Sequence, residues 1–156
     1  LSLLSAGACL AVSGIVFVDS TLPADSLTRL QETEAYDPAF AVALQTGLDQ
    51  GGRYPDWTDA ALTEAIPNAD LRTAFLADMH PRGLDFFEEP IPAPNWPRQR
   101  CGYLRLSPSY DRTADEAERN GWPVVRLPLN HFATITHAEL IASTILGLYA
   151  STSRTA

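Results

Sequence analysis

A histidine and an aspartate each follow a short strand-like run, and their chemistry could combine. His131 comes shortly after residues 123–128 (Pro-Val-Val-Arg-Leu-Pro), and Asp111 lies in the turn after residues 101–106 (Cys-Gly-Tyr-Leu-Arg-Leu). In a Ser-His-Asp site the imidazole takes the proton of the nucleophile, and the carboxylate orients the imidazole through its other nitrogen. The sequence therefore predicts two of the three groups of a catalytic triad, His131 as general base and Asp111 as its orienting acid.

A second aspartate is an alternative acid. Asp19 ends the apolar run 14–18 (Gly-Ile-Val-Phe-Val), so it also follows a predicted strand. Aspartates at strand ends often close the next turn through side-chain hydrogen bonds. A purely structural role is therefore open for Asp19 and for Asp111.

The sequence shows no evident nucleophile. The Gly-x-Ser-x-Gly pattern of the nucleophile elbow is absent from the whole chain. Ser2 and Ser5 follow no strand-like run, so we interpret both as helix residues. Cys9, in Gly-Ala-Cys-Leu-Ala, imitates a cysteine elbow but also lacks a preceding strand, and we interpret it as a core residue.

Strand-like and helix-like segments alternate along the chain. Runs of β-branched and aromatic residues predict strands, and apolar residues at helical spacing predict helices. The predicted strands are 14–18, 101–106 and 123–128, and the predicted helices are 1–12, 38–44, 57–79 with a break at Pro67, 113–119 and 137–150. Thr-x-x-Glu capping boxes at Thr113 and Thr136 mark the starts of the last two helices. The alternation predicts an α/β fold in which three parallel strands have flanking helices.

The composition argues against several kinds of partner. The 156 residues carry a formal charge of −8 and include no lysine, which argues against a nucleic-acid surface. No run reaches the ~18 apolar residues that a membrane-spanning helix needs. Metal-ligand spacings and glycine-rich phosphate loops are absent, so we expect no metal and no other cofactor. Cys9 and Cys101 are interpreted as reduced core residues, which favours a cytoplasmic location.

Together these segments resemble the C-terminal half of the α/β-hydrolase fold. The matching parts are the sixth strand at 14–19, the lid insertion at 24–97, the seventh strand at 101–106, and the eighth strand with its histidine loop at 124–136. The order of acid before histidine also matches. The similar esterase-like proteins commonly have Gly-Gly-His-Phe in the histidine loop, whereas residues 129–132 read Leu-Asn-His-Phe. Since the acid of this family usually follows the seventh strand, the resemblance favours Asp111 over Asp19.

The resemblance implies an incomplete α/β-hydrolase domain over residues 1–156, with a lid at 24–97 and the C-terminal strands and histidine loop at 98–156. The nucleophile elbow would precede Leu1, so the chain is expected to be part of a longer serine hydrolase that acts on an acyl substrate, and to be inactive alone. The partner strand of 14–18 would be missing too, which predicts self-association through that edge. The alternative is a non-catalytic module, derived from a hydrolase, that binds a small molecule or a protein.

Overall fold

Three strands form one parallel sheet. The computed structural model describes residues 14–22, 26–91 and 100–152. Its strands are β1 (Ile15–Val18), β2 (Cys101–Arg105) and β3 (Val124–Arg126), in the spatial order β1-β2-β3. Ile15 lies opposite Cys101, and Tyr103 lies opposite Val124. The carboxyl ends of all three strands therefore meet at one edge of the sheet, and the predicted parallel arrangement is confirmed.

Helices cover both faces of this sheet. They are α6 (Asp111–Arg119), which connects β2 to β3, and α7 (Ala133–Thr136) and α8 (Ala138–Thr152), which follow β3. Side chains alternate between the two faces of a strand. Leu104 and Leu106 accordingly pack in a buried cluster with residues of α7 and α8, and Tyr103 packs in a second cluster with residues of α6. The result is a small three-layer α/β unit, as the sequence predicts.

A separate helical unit lies between β1 and β2 along the chain, within the predicted insertion 24–97. Its helices are α1 (Arg29–Tyr36), α2 (Pro38–Asp49), α3 (Asp59–Leu62), α4 (Ala69–Ala77) and α5 (Leu84–Glu88). A capping box between Thr28 and Gln31 begins α1. The apolar side chains of Leu44, Leu48 and Phe87 form its buried cluster. The interior of this unit is thus built from its own residues.

The helix starts differ from those predicted by the capping boxes. α6 begins at Asp111, two residues before Thr113, and Thr113 is a fully buried residue inside the helix. Thr136 ends α7, and α8 begins at Ala138. The Thr113 prediction is wrong because the threonine packs into the interior, where its hydroxyl does not cap the helix.

Two other predictions concern residues outside the described part of the chain. The predicted helix 1–12, with Ser2, Ser5 and Cys9, lies there, as does segment 92–99 of the connection before β2. Within the described residues, no helix has both the length and the apolar character that a membrane crossing requires.

The packing of β2 against α8 gives a test of the core. Leu104 is fully buried, so we expect Leu104→Ala to lower the free energy of unfolding by about 2–5 kcal/mol. Leu146 on α8 is 68% exposed, and Leu146→Ala should change the free energy of unfolding by no more than about 0.5 kcal/mol. Urea denaturation measures both values. Equal losses for the two variants would contradict the observed packing.

Candidate functional site

Asp19 lies directly after β1, at the carboxyl edge of the sheet. Its amide donates a hydrogen bond to the carbonyl of Leu104, which continues the pairing with β2 one residue beyond the strand. The backbone of Asp19 then turns with a φ of 43°, in the left-handed region that non-glycine residues seldom adopt. The side chain is only 1% exposed. A carboxylate is therefore buried where β1 ends.

Four hydrogen bonds hold this carboxylate. Oδ1 accepts from the amides of Leu106, at 2.7 Å, and Ser107, at 2.8 Å. Oδ2 accepts from the hydroxyl of Ser107, at 2.8 Å, and lies 2.9 Å from Nδ1 of His131. A buried carboxylate can stay ionised when its lone pairs are filled in this way.

These contacts set the protonation of Asp19. Burial raises the pKa of its carboxyl, but the hydrogen bonds, that of His131 foremost, lower it by more. The balance holds the pKa of Asp19 below its ordinary value of 3.8, so the group is a carboxylate at neutral pH. Because an ionised carboxylate only accepts hydrogen bonds, Nδ1 of His131 must carry the proton between them.

The loop after β3 places His131 beside Asp19. The amide of Leu129 donates to the carbonyl of Leu106, so the chain beyond β3 stays alongside the end of β2. Asn130 then closes the turn around the histidine: its side-chain oxygen accepts from the amide of Phe132, at 2.9 Å, and its carbonyl accepts from the amide of Ala133. Neither Leu129 nor Asn130 has a positive φ. The loop therefore needs no glycine at either position.

The imidazole of His131 has one end fixed and one end open. Tyr110 stacks on it with ring centres 5.6 Å apart and planes 22° apart, and Phe132 meets it edge to face. The side chain is nevertheless 48% exposed. With the proton on Nδ1, the lone pair of the ring lies on Nε2, which accepts no hydrogen bond from the described residues. That nitrogen can act as a base toward a bound group.

Asp111, predicted to orient His131, has a different partner. It begins α6 and forms an ion pair with Arg105, whose guanidinium also donates to the carbonyl of Leu127. Arg105 lies two residues from Tyr103 in β2 and so shares its sheet face, the face that α6 covers. The carboxylate that contacts His131 is Asp19, the alternative acid, because the sheet brings the end of β1 to the end of β2.

Sequence reasoning did not identify Ser107 and Tyr110. Both lie in the loop between β2 and α6, which includes a short 3-10 turn at Pro108–Tyr110. A hydroxyl residue directly after a buried strand is the signal that would have drawn attention to Ser107. Among the described residues, no group of three or more His, Cys, Asp or Glu side chains is arranged to hold a metal ion.

Comparisons of this chain with protein-family models, with curated proteins and with solved structures find no match.

The buried carboxylate predicts how stability depends on pH. At pH 7 we expect Asp19→Asn to lower the free energy of unfolding by about 1–3 kcal/mol, because the charge-assisted hydrogen bonds are lost. The folded-state pKa of Asp19 lies below 3.8, so its stabilisation is complete above that value and is lost as the pH falls through the folded-state pKa. Urea unfolding at several pH values should show the difference between the two proteins shrinking in acid.

Leu104→Ala is the matched control for this experiment, since it lowers stability without changing a titratable group. Its stability should stay below that of the parent by the same amount at each pH. Parallel curves for the parent and Asp19→Asn would contradict the role given to the Asp19 carboxylate.

Proposed function

We propose that His131 and Asp19 are the base and the orienting acid of an acyl hydrolase. The observation that carries the proposal is the asymmetry of the pair. Nδ1 of His131 lies 2.9 Å from a buried carboxylate, while the ring itself is half exposed. This arrangement fixes the tautomer and leaves Nε2 available to a nucleophile, as a Ser-His-Asp site requires.

The chemistry follows from these positions. A hydroxyl near Nε2 gives its proton to His131 as its oxygen bonds to the acyl carbon of an ester. The imidazolium then has N–H groups on both sides, and the Asp19 carboxylate stabilises it through Nδ1. The proton passes from Nε2 to the leaving oxygen as the bond from carbon to that oxygen breaks. The oxygen of a water molecule then bonds to the acyl carbon as Nε2 takes a proton from the water. That proton passes to the oxygen of the nucleophile as the bond from carbon to that oxygen breaks, which releases the carboxylic acid and regenerates the hydroxyl.

The nucleophile belongs to polypeptide outside the described residues. Among the described residues, the His131 ring meets Asp19, Tyr110 and Phe132, and none of these is a serine or a cysteine. The resemblance to the C-terminal half of the α/β-hydrolase fold supports this division, since the elbow precedes the sixth strand in that fold. The helical unit between β1 and β2 corresponds in the chain to the lid of that fold. The substrate is a small acyl compound.

Ester hydrolysis tests the proposal. We expect the 156-residue chain alone to hydrolyse short p-nitrophenyl esters at the background rate. The chain expressed together with the coding sequence that precedes it should hydrolyse them and react with a fluorophosphonate probe. In this longer form, Asp19→Asn should lower kcat by about 10⁴-fold and His131→Ala by about 10⁶-fold, as found when the acid or the base of a triad is replaced.

Asp111→Asn is the matched control, since it makes the same chemical change at the other predicted acid. The Asp111 side chain is 49% exposed and its ion pair is with Arg105, not with His131, so activity should stay within about threefold of the parent. Loss of activity in Asp111→Asn but not in Asp19→Asn would reverse the assignment of the acid. Rapid hydrolysis by the 156-residue chain, dependent on His131, would contradict an external nucleophile.

We propose that the edge of β1 that no described strand pairs with is the place where a strand from outside the described residues docks. Among the described strands, β1 pairs only with β2. The Asp19 amide faces β2, and amides alternate in direction along a strand, so the amide of Phe17 faces β2 as well while that of Val16 faces outward. An edge with unpaired amides and carbonyls accepts another strand. In the chain alone, a second copy is the available partner.

Proline substitutions test this edge. The 156-residue chain should self-associate and bind a dye for exposed apolar surface. Val16→Pro removes an outward-facing amide, which edge strands tolerate, and should shift the chain toward monomer in light scattering at several concentrations. Phe17→Pro removes an amide that pairs with β2 and should unfold the sheet instead. A parent chain that is monomeric and binds no dye would contradict the proposal.

A binding module without catalysis is the second candidate. It is favoured by the same ring contacts, since the described residues complete the acid and base but supply no nucleophile to them. The hydrolysis experiment separates the two functions, because a binding module stays inactive when the preceding sequence is added.

A further inference from the structure

The hydroxyl of Tyr103 forms two hydrogen bonds with the backbone of Ser20, the residue that follows Asp19. Tyr103 lies in the middle of β2, fully buried on the face that α6 covers. Its hydroxyl donates a hydrogen bond to the carbonyl of Ser20, at 2.6 Å, and accepts one from the amide of Ser20, at 3.2 Å. One phenol oxygen therefore satisfies both backbone groups of a single residue, 83 positions away in sequence.

Ser20 lies within a strained turn. Asp19 has a φ of 43°, a conformation that persists only when its surroundings enforce it. On one side, the amide of Asp19 is bound to the Leu104 carbonyl. On the other side, the Tyr103 hydroxyl holds Ser20, and Leu22 packs in the same buried cluster as Tyr103. The backbone is thus held on both sides of the Asp19 side chain.

We propose that Tyr103 is a positioning residue for the site: its hydroxyl holds the Asp19–Ser20 turn in the conformation that aims the carboxylate at Nδ1 of His131. This inference rests on the proposed function for its catalytic meaning. The positioning itself is a property of the folded chain without substrate. Tyr103 touches neither His131 nor a reacting group in this arrangement, and acts through the backbone of Ser20.

The phenol suits this task because it remains neutral. Burial raises the pKa of Tyr103 above its ordinary value of 10.0, so its proton is present throughout the neutral range. A neutral phenol can donate and accept at once, whereas a phenolate could only accept. Replacement by phenylalanine keeps the buried ring and removes both hydrogen bonds.

The test is the tautomer of His131, read from the ¹⁵N shifts of its ring in the 156-residue chain. We expect the parent to hold the proton on Nδ1. In Tyr103→Phe the ratio of the Nδ1–H to the Nε2–H tautomer should fall by about fivefold or more, since the carboxylate is no longer held in place. Spectra are recorded in trimethylamine N-oxide, which favours the folded state, so that the variant remains observable.

Val124→Ala is the matched control. Val124 packs against the same buried cluster as Tyr103, so its truncation lowers the melting temperature without removing a hydrogen bond from the turn. The tautomer ratio should then equal that of the parent. A Tyr103→Phe protein that is less stable but keeps the parent ratio would overturn the proposal, because the hydroxyl would then serve stability alone. An equal fall of the ratio in both variants would overturn it too.

Activity separates this inference from the proposed function. If the longer form hydrolyses esters, Tyr103→Phe should lower kcat with little change in KM, because the base is misaligned while substrate contacts are kept. A changed tautomer ratio without hydrolysis in any form would reject the acyl hydrolase and leave the positioning role supported. Hydrolysis by the longer form, with a tautomer ratio that Tyr103→Phe leaves unchanged, would support the acyl hydrolase and reject the positioning role of Tyr103.

Discussion

The sheet unit depends on the hydrogen bonds that hold the buried carboxylate of Asp19. An ion taken out of water costs several kcal/mol unless its lone pairs find donors. The loop after β2 supplies three of them, from Leu106 and Ser107, and His131 supplies the fourth. Three segments distant in sequence must therefore keep their positions together. The stability of the strand ends and the geometry of the site have the same physical cause.

The strands and the histidine loop could be predicted because their signals are local. β-branched runs mark β1 and β3, and a histidine shortly after a strand must lie at the carboxyl edge of a parallel sheet. Residues 129–130 are Leu-Asn, whereas the esterase-like proteins that the sequence resembles commonly have two glycines there, so the backbone conformation of the loop could not be predicted. The structure shows that Asn130 closes that turn with its side chain and that no positive φ is needed.

The carboxylate that contacts His131 could not be identified from local signals, since Asp19 and Asp111 both follow predicted strands. The choice depends on which side chain faces which layer. Arg105 lies on the sheet face covered by α6 and pairs with Asp111, while the amides after β2 converge on Asp19. The start of α6 was missed for a related reason. Thr113 fits a capping pattern, but burial against the sheet outweighs that local preference.

A buried aspartate that binds a histidine could be purely structural, and three features argue for more. A structural donor would be best buried with its acceptor, yet His131 is half exposed beside a fully buried Asp19. Of the four groups that donate to the carboxylate, His131 alone has a second nitrogen that can act as a base. The turn at Asp19 is strained, and such strain of about 1–3 kcal/mol concentrates where geometry serves function. These features favour a base held ready for a proton.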